Sequence, residues 1–308
     1  MVEKIDTRQM SHDEWLSTRS KYIGGSDAGA IAGLNPWKSL LSIYLEKTGQ
    51  KELVSKDNER MRIGRDLEDY VAKRFEEATG KKVRRNNFMM IKEDFMSANV
   101  DREVVGENAV LECKTTNSYA KDDWEEDSIP VHYELQCHHY MMVGGYDKAY
   151  IAVLIGNEKF VYKEIPRDED VIKMLYELEK NFWTENVLKK QLPEADGSDS
   201  YSEELRQKYK GGIEDSIDLL IDEERLTRLE ELKKMEKEIK SQIKKIEQEI
   251  QVEMGDYEVA TTDSYKFTWK TQTRTSIDTK KLREENPNIY DKYLKISTFR
   301  TFRTNKIK

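Results

Sequence analysis

Cysteine is almost missing from this 308-residue chain: Cys113 and Cys137 are the whole supply. Two thiols build neither a disulfide framework nor the four-ligand set of a zinc or iron–sulfur centre, and they fit a reduced, cytosolic compartment. No apolar run approaches the length of a membrane span, and the opening MVEKIDTRQM lacks the apolar core of a signal peptide. Neither export nor membrane insertion is therefore expected. Excess positive charge is missing too, since the formal net charge is −8. That excludes a broadly basic coat while leaving room for a local basic footprint. Apolar residues make up only 37% of the chain, low for one compact domain, so part of it should be an extended, solvated element.

What is present has an order. Ser11 can cap a first helix, with Glu14 at the capping-box position three residues on. Gly24-Gly25 then breaks the chain, and Ser26 or Asp27 can cap the next helix. This glycine-rich stretch lacks the lysine of a phosphate-binding P-loop, so it reads as a tight helix–helix turn or as hydroxyls and N–H groups that could hold a phosphate. Residues 59–79 have the spacing of an amphipathic helix stopped by Gly80, with Glu68 beside its apolar stripe. Residues 131–144 suit a helix entered from Pro130, in which Gln136 and Tyr140 share a face. Residues 147–155 and 159–165 read as strands, and about 168–190 as a helix. The pattern is α+β or α/β, a short mixed sheet flanked by helices.

Composition shifts near 191. Residues 193–214 read as a linker, and about 215–254 place Leu and Ile at intervals of three and four, predicting a coiled-coil-like helix or helical hairpin arm. Beyond Gly255 come short strands, a helix near 279–295, and a basic end whose Phe-Arg alternation fits a final strand.

The chemistry gathers at Asp101, Glu112 and Lys114. Runs at 95–101 and 109–116 flank the turn-type cluster Gly106-Glu107-Asn108, which predicts a hairpin. Glu112 and Lys114 then share one strand face while Leu111 and Cys113 point into a core, and Asp101 can lie beside Glu112. Two carboxylates on one face repel, and a hard divalent cation relieves that repulsion. A lysine beside such a cation suits phosphodiester hydrolysis, where an ammonium orients water or offsets charge on phosphorus. Glu-x-Lys on a strand is also commonly a solvated face with an ion pair, so the triplet alone does not decide. His132, His138 and His139 beside Cys137 suggest a transition-metal site, but only His132 and His139 share a helix face.

In chain order, Trp15-x3-Arg19, Gly24-Gly25-Ser26-Asp27, Gly64-x3-Glu68, Asp101, Glu112-x-Lys114 and Tyr133-x2-Gln136-x3-Tyr140 resemble the λ-exonuclease-like branch of the PD-(D/E)xK nucleases, most closely the YqaJ-type viral recombinases. The resemblance covers about residues 11–190. It implies a restriction-endonuclease-like α+β core over 1–192, with 193–214 as linker and 215–308 as a coiled-coil arm with a small C-terminal extension. For the site it implies Asp101 and Glu112 as ligands of Mg²⁺, with Mn²⁺ able to substitute. Glu68 would be a further ligand or a group behind the ligands, and the Cys113 backbone carbonyl an addition. Lys114 would position water, Gln136 would touch the scissile region, and Arg19 with Ser26 would hold a 5′-terminal phosphate, Tyr140 lying with the DNA-binding residues. No iron–sulfur cluster is expected. The chain departs from the pattern after Asp101, where many members read Pro-Asp-Gly and this one has Val100-Asp101-Arg102.

The activity so implied is a 5′→3′ exonuclease on linear double-stranded DNA that leaves 3′ single strands for phage-type recombination. Expected partners are a single-strand annealing protein and further copies in a ring, a trimer among the options, in the cytoplasm of a bacterial host. Two other readings stay open: a restriction- or repair-type endonuclease on the same fold, and a non-catalytic coiled-coil recombination mediator.

Overall fold

The computed structural model describes residues 2–51 and 58–304, and the chain divides into two units, Met1–Lys210 and Gly211–Lys308. The first unit runs β1 (Val2–Asp6), α1 (His12–Ser20), β2 (Ile23–Gly24), α2 (Gly25–Ile31), α3 (Leu40–Lys47), α4 (Glu59–Thr79), β3 (Val83–Arg85), β4 (Phe88–Lys92), β5 (Met96–Ala98), β6 (Arg102–Val104) and β7 (Ala109–Thr116). It continues through α5 (Val131–Gly144), β8 (Lys148–Ile155), β9 (Lys159–Pro166), α6 (Glu169–Asn181) and α7 (Asp199–Lys208). Local chemistry sets several ends. Ser11 and Glu14 close a reciprocal capping box on α1, and Gly80 ends α4 at φ 70°, where a side chain would be strained.

Two sheets form, of order β1-β4-β5-β2 and β3-β6-β7-β8-β9. In the second, β7 and β8 run parallel and the other pairs antiparallel. A parallel pair needs a crossover, and α5 lies within it. Both faces of this sheet are covered, which is why β8 reads as the near-continuous apolar run KAYIAVLI. Leu111, Tyr150 and Ala152 pack with Val71, Ala72 and Phe75 of α4, while Val110, Ile151 and Val153 join the core that includes Leu135 and Cys137 of α5. The period of two therefore sends Glu112 and Lys114 to the α5 side.

The hairpin differs from the sequence expectation. Residues 95–101 do not pair with 109–116: β5 belongs to the first sheet, against β4 and β2, and the hairpin partner of β7 is β6. Met96, Ser97 and Ala98 are all buried, so this run is a central strand of its own, and Asn99 to Asp101 carry the chain between sheets. The pairing Arg102↔Leu111 and Glu103↔Val110, extended by one step, still sets Asp101 opposite Glu112.

The expected linker 193–214 is likewise partly structured. Ser198 caps α7, Tyr201 is buried in the main core, and the division between units falls after Lys210.

The second unit holds α8 (Glu223–Met254), β10 (Val259–Thr261), β11 (Lys266–Thr268), α9 (Thr279–Glu285) and α10 (Pro287–Tyr293). The arm is one 32-residue helix, not a hairpin, and Leu232, Met235, Ile239, Ile243 and Ile246 of its stripe are exposed. The expected single helix near 279–295 is split at Asn286 because Pro287 opens a new helix. Residues 294–304 form no strand, since β10 and β11 pair only with each other. Lys306 and Lys308 of the basic end lie outside the described residues. Among those residues no helix is long and apolar enough to cross a membrane.

Candidate active site

Glu112 is the centre of the arrangement. It is 3% exposed, a depth that a carboxylate tolerates only with partners. Its Oε1 accepts from Lys114 Nζ at 2.5 Å and from Gln136 Nε2 at 2.7 Å. Gln136 returns the contact, its Oε1 accepting from Lys114 Nζ at 3.2 Å. The second oxygen, Oε2, is buried without a hydrogen-bond partner. β7 supplies two of these side chains at alternate positions, and α5 supplies the third from above.

Asp101 reaches the same place from the chain between β5 and β6. Its Oδ2 accepts the Cys113 N–H at 2.8 Å. Burial, then the neighbouring Glu112 and Glu68 carboxylates, push the Asp101 carboxyl well above the usual range despite the nearby Lys114 ammonium. Burial opposes the charge on Lys114, but Glu112 and Asp101 outweigh it and raise its pKa. Lys114 also stands 4.8 Å from the Tyr133 ring centroid, a cation–π contact.

Glu68 lies near, its carboxylate held by Arg102. Arg102 Nη1 donates to Glu68 Oε1 at 2.5 Å and to the Asp101 carbonyl at 2.6 Å, while Nη2 reaches Asp69 Oδ1 at 2.6 Å. Among the described residues, no group of three or more His, Cys, Asp or Glu side chains is arranged as it stands to hold a metal ion. The donor chemistry nevertheless fits a hard cation: the half-buried Asp101 and the buried Glu112 are neighbouring carboxylates, the first held well above its ordinary pKa and the second with an oxygen that has no hydrogen-bond partner.

Arg19 and Ser26 are joined, Arg19 Nη2 donating to Ser26 Oγ, and the guanidinium lies 5.3 Å over Trp15. Tyr140 is placed differently from the expectation of a DNA-binding residue. It is 5% exposed, and its hydroxyl accepts from Gln136 Nε2 at 2.7 Å. Its ring fills the space over Gly25, where a Cβ would come within 2.5 Å of it, and a Cβ at Gly29 would meet His132 at 2.8 Å. These two glycines serve the close packing of α2 on α5. The histidines are dispersed: both ring nitrogens of His139 are engaged, by Glu179 and by the Ser97 carbonyl, and His132 packs against Tyr133.

A cleft of about 1490 Å³ joins these parts, lined by Glu68, Asp101, Glu112 and Lys114 as well as by Arg19, Asp27, Lys38 and Lys47. Sequence reasoning missed Lys38 and Lys47, and it named Asp27 only as a candidate helix cap and as part of the Gly24-Gly25-Ser26-Asp27 motif. Asp27 is 1% exposed and takes Lys38 at 3.1 Å and Lys47 at 2.7 Å, its Oδ2 also accepting the Gly24 N–H. Burial would raise its pKa, but Lys38, Lys47 and Arg19 outweigh that and hold it well below the usual range. Lys38 and Lys47 have no spacing that marks them; Arg102 was visible only as the departure from Gly after Asp101. The cleft lining is of mixed charge: Lys38 and Lys47 are balanced by Asp27 and Glu46, and Lys114 stands among the carboxylates near Asp101.

A family model described as the YqaJ-like viral recombinase domain matches residues 14–147. The protein named "Uncharacterized protein YqaJ" of Bacillus subtilis (strain 168) is 44% identical over 300 residues, covering 96% of this chain and 94% of that one. Similar solved structures include an alkaline exonuclease from Laribacter hongkongensis, with 17% identity, a TM-score of 0.48, and coverage of 56% of this chain and 91% of that one. Another is a phage related exonuclease from Haemophilus somnus 129PT, with 13% identity, a TM-score of 0.45, and coverage of 57% and 100%.

Proposed function

The chain belongs to the YqaJ-like viral recombinase domain family, and from that premise we propose that it is a Mg²⁺-dependent nuclease, specifically a 5′→3′ exonuclease that degrades one strand of linear duplex DNA. The observation that carries this reading is the convergence of Asp101, Glu112, Lys114 and Gln136, the first three of which line a cleft that Arg19 also lines.

Asp101, Glu112 and the Cys113 carbonyl would hold the metal, joined by Glu68 once it leaves Arg102. When bound, Mg²⁺ supplies charge compensation at the scissile phosphate. The chain's own groups do the rest. Lys114, kept charged by its carboxylate neighbours, gives two N–H donors to Glu112 and Gln136 and offers the third to an attacking water or a non-bridging phosphate oxygen. Gln136 fixes Glu112 and Lys114 relative to each other, so that neither has to reorganise during reaction. Arg19 and the Ser26 hydroxyl supply a guanidinium and a short donor to a terminal phosphate, a dianion that suits a charge-assisted contact. A substrate with its end phosphate at Arg19 and a phosphodiester at Asp101 is read by its end and not by its sequence.

Incubating linear and covalently closed circular duplex of one sequence with Mg²⁺ or EDTA tests this reading. Loss of the linear form only, and only with Mg²⁺, supports it; cutting of the closed circle supports an endonuclease instead.

A further inference from the structure

We infer that α7, outside the residues matched by the family model, is a wall of the substrate cleft and that Lys208 on it contacts the phosphate backbone of bound DNA. The inference rests on the nuclease reading above and extends it to a residue from the stretch that composition marks as linker.

The helix is fastened to the α3 region at successive turns. The Ser39 N–H donates to Ser200 Oγ at 3.1 Å, and Ser42 Oγ donates to Glu204 Oε1 at 2.8 Å, an oxygen that also pairs with Lys51. Tyr201 is buried and its hydroxyl donates to the Pro193 carbonyl at 2.8 Å. A polar segment so anchored is held for its position, because ordering it costs about 1–2 kcal/mol of backbone entropy per residue.

That position is the cleft. Glu204, Gln207 and Lys208 line the same cavity as Asp101 and Glu112. Lys51 is neutralised by Glu204, whereas Lys208 Nζ donates to the neutral amide oxygen of Gln50 at 2.5 Å and stands 5.7 Å from the Tyr209 ring centroid. Among the described residues no carboxylate pairs with Lys208, so its charge is available to a ligand. In a chain of net charge −8, an ammonium on a fixed helix facing the cleft suits a polyanion longer than one terminal phosphate. A DNA backbone running on from the phosphate at Arg19 has that form.

Binding of a fluorescent linear duplex, measured in EDTA across a range of salt, tests the contact in wild type, K208A, K208Q and K173A, the last removing an exposed lysine from α6. Each lost phosphate contact flattens the slope of log K against log salt by about 0.9. The expected result is that flattening in K208A and K208Q with wild-type melting, and an unchanged slope in K173A. A wild-type slope in folded K208A, or equal flattening by K173A, overturns the inference while leaving the nuclease reading intact if linear DNA is still degraded. A wild-type protein that neither binds nor degrades duplex DNA overturns both.

Discussion

Arg102 Nη1 stands 2.5 Å from Glu68 Oε1, and the guanidinium is 5% exposed. The residue that replaces the glycine of the related pattern thus occupies the carboxylate that would complete the set at Asp101. Arg102 also bonds the Asp101 carbonyl, so it fixes the backbone turn that a glycine would otherwise leave free.

The first prediction concerns this lock. R102Q should release Glu68 and lower the Mg²⁺ concentration needed for half-maximal nuclease activity, while costing about 2 kcal/mol of stability through lost charge-assisted hydrogen bonds. Metal titration of activity together with urea unfolding measures both, and an unchanged Mg²⁺ midpoint would mean that Glu68 has no part in the site.

Gln136 is buried between Glu112, Lys114 and Tyr140. Replacing it by Leu should lower kcat by roughly 10–100-fold, the scale seen when a group orienting the ligands is lost, with a small change in KM. Steady-state kinetics on end-labelled duplex separates the two; a change in KM alone would place Gln136 in substrate binding.

Much of this region was legible beforehand for a simple reason. β7 alternates strictly, so Glu112 and Lys114 had to share a face, and the α5 spacing had to put Gln136 beside Tyr140. The boundaries 59–79 and 131–144 followed from Gly80, Pro130 and the paired glycines. Long-range pairing was not legible. Met96-Ser97-Ala98 looks like a hairpin arm by composition, yet it is buried on both sides between β4 and β2. Nothing local marks Lys38 and Lys47 as partners of Asp27, because they meet only through tertiary packing. Polar composition likewise hid α7, whose anchors Ser200, Tyr201 and Glu204 bond residues elsewhere in the chain.

A third prediction follows from the buried pair His139 and Glu179, whose Nδ1 and Oε1 lie 2.7 Å apart. Burial works against a charge on His139, but the Glu179 carboxylate outweighs it and the pKa is raised. A raised folded-state pKa contributes stability that is full below the unfolded value of about 6.5 and is lost as pH rises through the folded value. The urea midpoint of wild type should therefore exceed that of E179Q most at pH 6, and the gap should shrink by pH 9. A gap that widens with pH would reverse the assigned sign.

Arg19 bears on end recognition. R19A should abolish a preference for 5′-phosphorylated over 5′-hydroxyl ends while leaving the Mg²⁺ requirement in place. Competition between the two duplexes reads the preference directly, and retention of wild-type discrimination would remove Arg19 from the phosphate site.

The most direct measurement of the central claim follows label release from linear duplex carrying a 5′ phosphate or a 5′ hydroxyl, with Mg²⁺ or EDTA, by wild type, D101N and E112Q. The account predicts release from the 5′ end by wild type alone, dependent on Mg²⁺ and faster with the phosphate, and a loss of at least about 10²-fold in both variants. Undiminished release by folded D101N or E112Q would contradict it.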